Sequence, residues 1–280
     1  MRHSEGRFTT ADGIGIYTQT WATDGEPKAI LLIVHGLGEH SGRYQNYVDY
    51  FVPRGYTLHA FDARGHGRSG GVRGHVDRFE RYTDDIDHEV KSICQHWPNT
   101  KLFMLGHSFG TLMVLSYGLY HSEDLTGMIT TGTALQDALE VPGWKRALAG
   151  PLSILTPAWK MNNGVLPRYL SHDPAVLEAY ERDPLVHRWG TPRLAAEAEA
   201  VRVALYRHAG AWRVPLLMLH GGDDHICRPA GAKAFQARTP PGLVEYREYA
   251  GLYHEVHNEF EKETVFRDIE VWMQNRKFGG

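Results

Sequence analysis

Ser108, Asp224 and His254 lie far apart in the chain, but their types and their order suit acyl transfer to a serine. A serine hydroxyl is a weak nucleophile at neutral pH. It needs a base within hydrogen-bond reach, and the base needs a carboxylate to fix its tautomer and stabilise the imidazolium. Ser108 sits in Gly106-His107-Ser108-Phe109-Gly110, after the apolar run 101–105 and before the helix-compatible run 111–117. Strand, G-x-S-x-G, helix is the context of a nucleophile elbow, a turn too sharp for side chains at the flanking positions. The same pattern occurs at Gly67-Arg68-Ser69-Gly70-Gly71, but glycines follow where a helix should start, so Ser69 reads as a loop serine.

The acid is expected after a later strand. Leu216–His220 runs into Gly221-Gly222-Asp223-Asp224, and the two aspartates compete. Asp224 is preferred, with Asp223 as the turn residue. The base is expected after the last strand, in Gly251-Leu252-Tyr253-His254-Glu255-Val256-His257. His254 is preferred because it follows the glycine turn soonest, and His257 is the fallback. Backbone N–H groups must receive the oxyanion. Phe109, next after the serine, supplies one, and Leu37 in His35-Gly36-Leu37-Gly38 supplies the other.

The elements that must position these residues alternate between strand and helix. Strands are expected at 29–34, 57–62, 101–105, 126–133, 215–220 and 244–249. Helices are expected at 44–53, 79–97, 109–121, 230–237 and 258–276. A hairpin turns at Ala11-Asp12-Gly13. Alternation of this kind implies an α/β fold with a mostly parallel sheet flanked by helices. From 136 to 213 no strand signal is clear, and seven prolines cut the segment into short helical pieces. The expected organisation is core 1–135, an inserted helical cap 136–213, and core 214–280.

Composition narrows the partners. A net charge of −3 offers no basic field for nucleic acid. No apolar run approaches the roughly 20 residues of a membrane span. The polar start, Met1-Arg2-His3-Ser4-Glu5, lacks the apolar core of a signal peptide, which points to the cytoplasm. Two cysteines, Cys94 and Cys227, have no metal-ligand spacing, and no H-E-x-x-H pattern occurs. Neither metal nor organic cofactor is expected.

Several stretches together resemble the monoacylglycerol lipase group of α/β-hydrolases. They are the ten residues His35 to Tyr44, the eight from Asp62 to Ser69, the elbow at Ser108, Tyr253 to His257, and Tyr180-Glu181-Arg182-Asp183-Pro184-Leu185. The resemblance covers nearly the whole chain in order. It implies the α/β-hydrolase fold and a triad of Ser108, Asp224 and His254. It also implies a polar pocket for the glycerol end built from Glu39, Arg43, Tyr180 and His257. Glu39 and Arg43 read equally well as an ion pair bracing the oxyanion loop. Phe109 stands where the group commonly has methionine, which implies a narrower pocket. Cys227 falls where the group can carry a cysteine accessible to thiol reagents.

The implied activity is cleavage of a monoacylglycerol through an acyl-enzyme. The alternatives on the same triad are a lysophospholipase, a broad carboxylesterase or a thioesterase. The partner is a small lipid ester. The apolar run from Val141 through Trp144 to Trp159 suggests an acyl tunnel, with transient contact between the cap and a membrane or micelle.

Overall fold

The computed structural model describes residues 1–121, 123–138 and 150–276. Eight strands form one sheet in the order β1-β2-β4-β3-β5-β6-β9-β10. They are β1 (Arg2–Thr9), β2 (Gly15–Ala22), β3 (Ile30–Val34), β4 (Thr57–Phe61), β5 (Leu102–His107), β6 (Gly127–Thr131), β9 (Leu216–Gly221) and β10 (Val244–Tyr249). The hairpin β1–β2 and the pair β2–β4 are antiparallel. Every other pairing in this sheet is parallel. A mostly parallel sheet with an antiparallel hairpin at one edge is the α/β architecture expected from the sequence.

The central strands explain the layering. Every residue of β3 and β5 is buried. Ile30, Leu32 and Val34 point into one apolar layer, and Leu31 and Ile33 into the other. Leu102 and Met104 split from Phe103 and Leu105 in the same way. Alternation with both faces covered is what a parallel sheet between helices demands. Each such Leu or Ile contributes roughly 1.5–3 kcal/mol by leaving water. Helices α1 (Gln45–Phe51) and α7 (Lys262–Gln274) supply residues to the second layer, including Phe51, Phe266 and Trp272. Helices α2 (Glu80–His96), α3 (Phe109–Tyr120) and α6 (Pro229–Gln236) lie on the first.

Between β6 and β9, residues 150–155 are helical, followed by α4 (Pro174–Arg182) and α5 (Pro192–His208). Two features differ from expectation. A two-residue ladder joins β7 (Met161–Asn162) to β8 (Trp189–Gly190), too short to leave a pattern in the sequence. Also, α5 is 17 residues long. Pro174 and Pro192 start helices instead of cutting them. Each follows a capping side chain, Asp173 bonding the Ala175 N–H and Thr191 the Leu194 N–H. At the first helical position proline lacks only a hydrogen that would have no partner anyway. The stretch Val141 to Trp144 lies outside the described residues.

The last helix begins at Lys262, four residues later than the apolar pattern suggested. Asn258 and Glu259 turn inward before it. Asn258 Nδ2 donates to Glu255 Oε2 at 2.7 Å, and the Glu259 carboxylate is buried under the loop that carries His254.

Candidate active site

Ser108 stands between β5 and α3 at φ 51°, ψ −123°, the one positive φ outside glycine among the described residues. Such a conformation stores roughly 1–3 kcal/mol. It persists because the neighbours leave no other path. A Cβ on Gly110 would lie 2.4 Å from the Val34 carbonyl oxygen, and one on Gly106 would lie 2.6 Å from Val114 Cγ2. The turn is held by the Ser108 N–H donating to Thr131 O at 3.0 Å, and by Thr111 N–H donating to Ser108 O at 2.9 Å. Ser69, by contrast, donates to Asp62 O and accepts from the Tyr17 N–H at 2.8 Å, a buried structural role.

Asp224 and His254 come together over 30 residues of sequence. His254 Nδ1 donates to Asp224 Oδ2 at 2.8 Å. The N–H groups of Ile226 and Cys227 donate to Oδ1 at 2.8 and 2.9 Å. His220 Nε2 approaches Oδ2 at 3.1 Å. Burial would raise the Asp224 pKa, but the charge of His254 and the bonds from His220 and His254 outweigh it and hold the carboxyl ionised. Asp223 is exposed, with its N–H bonded to Leu252 O at 3.0 Å.

Three histidines crowd the elbow, and their environments separate them. His107 lies 4.9 Å from His254 and 4.7 Å from His257, measured between ring centres. Burial, with the neighbouring histidines adding to it, pushes His107 down to about 3. Burial likewise pushes His257 down to about 4. Burial also opposes charge on His254, but the Asp224 carboxylate overrides it and raises that pKa above the ordinary value. Of the three, only His254 has its basicity raised and not lowered by its surroundings. With Nδ1 turned to Asp224, Nε2 is the nitrogen left for a serine proton.

The loop after β3 closes the other side. A Cβ on Gly36 would come 3.1 Å from Ser108 Cβ, so this backbone touches the serine. Leu37 lines the same cleft as Ser108 and His254. Phe109 opens α3, so its N–H belongs to the first turn, which has no intrahelical acceptor. The Phe109 ring points elsewhere. It meets Phe79 and Tyr82 at centroid distances of 6.0 and 5.8 Å and does not line the cleft. The expected narrowing of the pocket by this residue is corrected accordingly.

A buried ionic cluster braces the loop. Glu39 Oε1 accepts from the Gly36 N–H at 2.6 Å and from the Tyr44 hydroxyl at 2.9 Å, and Arg43 donates to Oε2 at 2.6 Å. Arg43 also grips Glu255 in bidentate fashion at 2.7 and 2.9 Å. Burial disfavours all three charges. Arg43 nevertheless keeps both carboxyls below the usual range, and they in turn raise its own pKa. The guanidinium lies 4.8 Å from the centre of the Tyr180 ring, whose hydroxyl burial pushes up to about 12. Glu39, Arg43 and Tyr180 line the cleft. His257 does not: it is buried against Tyr44 and Tyr47, behind His107. Cys227 is 3% exposed and burial pushes its thiol well up, which corrects the expectation of an accessible cysteine.

The cleft encloses about 330 Å³ including its open mouth. Val165, Leu170 and Ile226 give it an apolar side facing the polar cluster. Sequence reasoning missed Glu255 and His220. Glu255 follows the base directly, and His220 is the last but one residue of β9, four residues before the acid, but nothing in the local pattern marks either as a partner of the site.

A serine elbow, a buried acid–histidine pair and an adjoining amide loop on this sheet are the parts that a serine hydrolase of the α/β class requires. Residues 25–261 match the Hydrolase_4 family, described as serine aminopeptidase, S33. The chain belongs to this family. It is 32% identical over 271 residues to a monoacylglycerol lipase of Mycolicibacterium smegmatis, covering 96% of each chain. It is 34% identical over 278 residues to an uncharacterized abhydrolase domain-containing protein of Dictyostelium discoideum, covering 99% of this chain but 29% of that one. The crystal structure of a Paleococcus ferrophilus monoacylglycerol lipase superposes with a TM-score of 0.84 at 30% identity, covering 92% of this chain and 98% of that one. These likenesses support a lipase or esterase function.

Proposed function

We propose that the protein cleaves monoacylglycerols to fatty acid and glycerol through an acyl-enzyme on Ser108. The observation that carries this reading is the 2.8 Å bond from His254 to Asp224 beside a serine held at positive φ. As Ser108 Oγ attacks the ester carbon, His254 Nε2 takes its proton. The N–H groups of Leu37 and Phe109 receive the oxyanion. When the intermediate collapses, the bond to the glycerol oxygen breaks and His254 returns the proton to that oxygen. Water then repeats the sequence on the acyl-enzyme, with His254 again taking and returning the proton. Asp224 keeps its charge throughout.

The polar wall suits a neutral diol. Glu39 Oε1 and Glu255 Oε2 each already take two donors, whereas Glu39 Oε2 and Glu255 Oε1 take one each from Arg43. A carboxylate oxygen accepts two, so each retains a place for a hydroxyl. Two carboxylates against one guanidinium disfavour a phosphate, which weighs against a lysophospholipid. The acyl chain runs along Val165, Leu170 and Ile226. Residues 136–213 act as a cap inserted between core parts 1–135 and 214–280. On it, Ile154, Leu155 and Trp159 are 77%, 77% and 57% exposed and give a lipid surface something to touch. Among the described residues no helix is long and apolar enough to cross a membrane.

A substrate panel tests this reading. Monoacylglycerols, diacylglycerols, lysophospholipids, p-nitrophenyl esters and aminoacyl amides are compared by kcat/KM. A monoacylglycerol leads if the reading holds; preference for a lysophospholipid or an amide overturns it.

A further inference from the structure

Glu259 is a buried carboxylate outside the reaction, yet it holds the loop that carries the base. Its Oε1 accepts from the Tyr253 N–H at 2.8 Å and from His172 Nδ1 at 2.9 Å. Its Oε2 accepts from the His172 N–H at 2.9 Å and from Ser171 Oγ at 3.2 Å. The Ser171 hydroxyl also reaches Asn258 O at 2.9 Å, and the His172 ring stacks on Tyr253 with centroids 3.7 Å apart. The same run supplies two acceptors. Leu170 O takes the Glu255 N–H at 2.8 Å, and Tyr169 O takes the His254 N–H at 3.4 Å. Three successive amides, before, at and after the base, are thus tied either to Glu259 or to the segment Glu259 holds. None of these bonds involves Asp224 or Ser108.

We infer that Glu259, acting through Ser171 and His172, is a positioning residue that sets where His254 stands relative to Asp224 and Ser108. The inference rests on the serine hydrolase reading above. It makes the segment 169–172 a fixed part of the site, distinct from any portion of the cap that moves to admit substrate. A displacement of the base by about 1 Å is enough to cost about 100-fold in rate. Glutamine at 259 keeps the shape but turns an amide NH2 towards two donors, so the four bonds cannot all survive. The charged and titratable groups facing His254 are Asp224, Glu255, Glu39, His107 and His257. All of them stay in place in the variants below.

The test compares Glu259→Gln and the charge-neutral Ser171→Ala with the wild type. Active sites are counted by fluorophosphonate labelling, kcat and KM are measured against a monoacylglycerol across pH, and the His254 Nδ1–H resonance is recorded by NMR. For Glu259→Gln the expected result is a fall in kcat per labelled site of about 10- to 100-fold, with KM within threefold. The acid limb moves to lower pH, because a base drawn away from Asp224 loses the contact that raises its pKa, and the Nδ1–H signal moves upfield. Ser171→Ala shows the same changes at smaller size, about threefold or more in kcat, and decides the matter if Glu259→Gln does not fold. Folded variants with wild-type kcat per site, an unmoved acid limb and an unmoved Nδ1–H signal overturn the inference. Failure of the wild type to label at Ser108 overturns the hydrolase reading instead, and the Nδ1–H comparison then still decides the positioning.

Discussion

His254 Nδ1 donates to Asp224 Oδ2 at 2.8 Å, and that single bond distinguishes one histidine from the two others in the same buried cluster. His107 and His257 share its burial but lack a carboxylate partner of this kind, and both are driven neutral. The bond also fixes the proton on Nδ1 and leaves Nε2 as the acceptor.

Asp224→Asn should keep the fold and lose that control. An asparagine amide can donate to Nδ1 and so favour the tautomer with Nε2 protonated, unable to take the serine proton. The expected fall in kcat is about 10⁴-fold. Asp223→Asn, at the exposed neighbour, should stay within twofold. Steady-state kcat for both, with circular dichroism to confirm folding, checks the choice of acid.

The pH dependence follows from the raised His254 pKa. The base works only when neutral, so kcat/KM should fall as pH drops through a value above the ordinary 6.5. Stability has its own signature. Protonated His254 adds stability that is full below its unfolded value and is lost as pH rises through the folded one. His107 and His257 act oppositely: held neutral in the fold, they cost stability as pH falls below 6.5 towards about 3 and about 4. His257→Phe preserves stacking on Tyr44 and removes one of these groups. It should shrink the stability difference between pH 7 and pH 4.5 by about 2 kcal/mol. Urea midpoints at the two pH values measure this.

Legibility in the sequence followed the range of the forces involved. The elbow is local: two glycines and a serine between a strand and a helix describe its steric constraint completely. The central strands were legible because burial on both faces leaves unbroken apolar runs. The brace around Glu39 was half legible, since Arg43 lies four residues away, but its other partner, Glu255, is 212 residues distant. The late start of α7 was hidden because Asn258 and Glu259 fit a helical pattern, while long-range hydrogen bonds from Asn46, Ser171 and His172 pull them into the site. The placement of His257 behind His107 was equally invisible, because no spacing rule tells a second layer from the first.

Arg43→Met should strand two buried carboxylates. The expected loss is about 3–5 kcal/mol of stability, the cost of breaking a buried ion cluster from one side. In whatever fraction folds, KM for a monoacylglycerol should rise. Denaturant unfolding and steady-state kinetics check the two effects separately.

Strain at the elbow predicts an inverse relation between stability and function. At φ 51° an alanine keeps the steric conflict and a glycine removes it. Ser108→Gly should therefore be more stable than Ser108→Ala by roughly 1 kcal/mol or more, with both inactive. Gly110→Ala should do the reverse, since its Cβ would sit 2.4 Å from the Val34 carbonyl oxygen. Thermal or urea unfolding of the three variants tests the ranking.

The central claim is that Ser108 is the nucleophile of an ester hydrolase. The most direct measurement is fluorophosphonate labelling, with the modified peptide mapped by mass spectrometry and monoacylglycerol turnover followed in the same sample. The prediction is one adduct, on Ser108, formed in step with complete loss of turnover and absent in Ser108→Ala. An adduct elsewhere with turnover lost, or full turnover in Ser108→Ala, would contradict it.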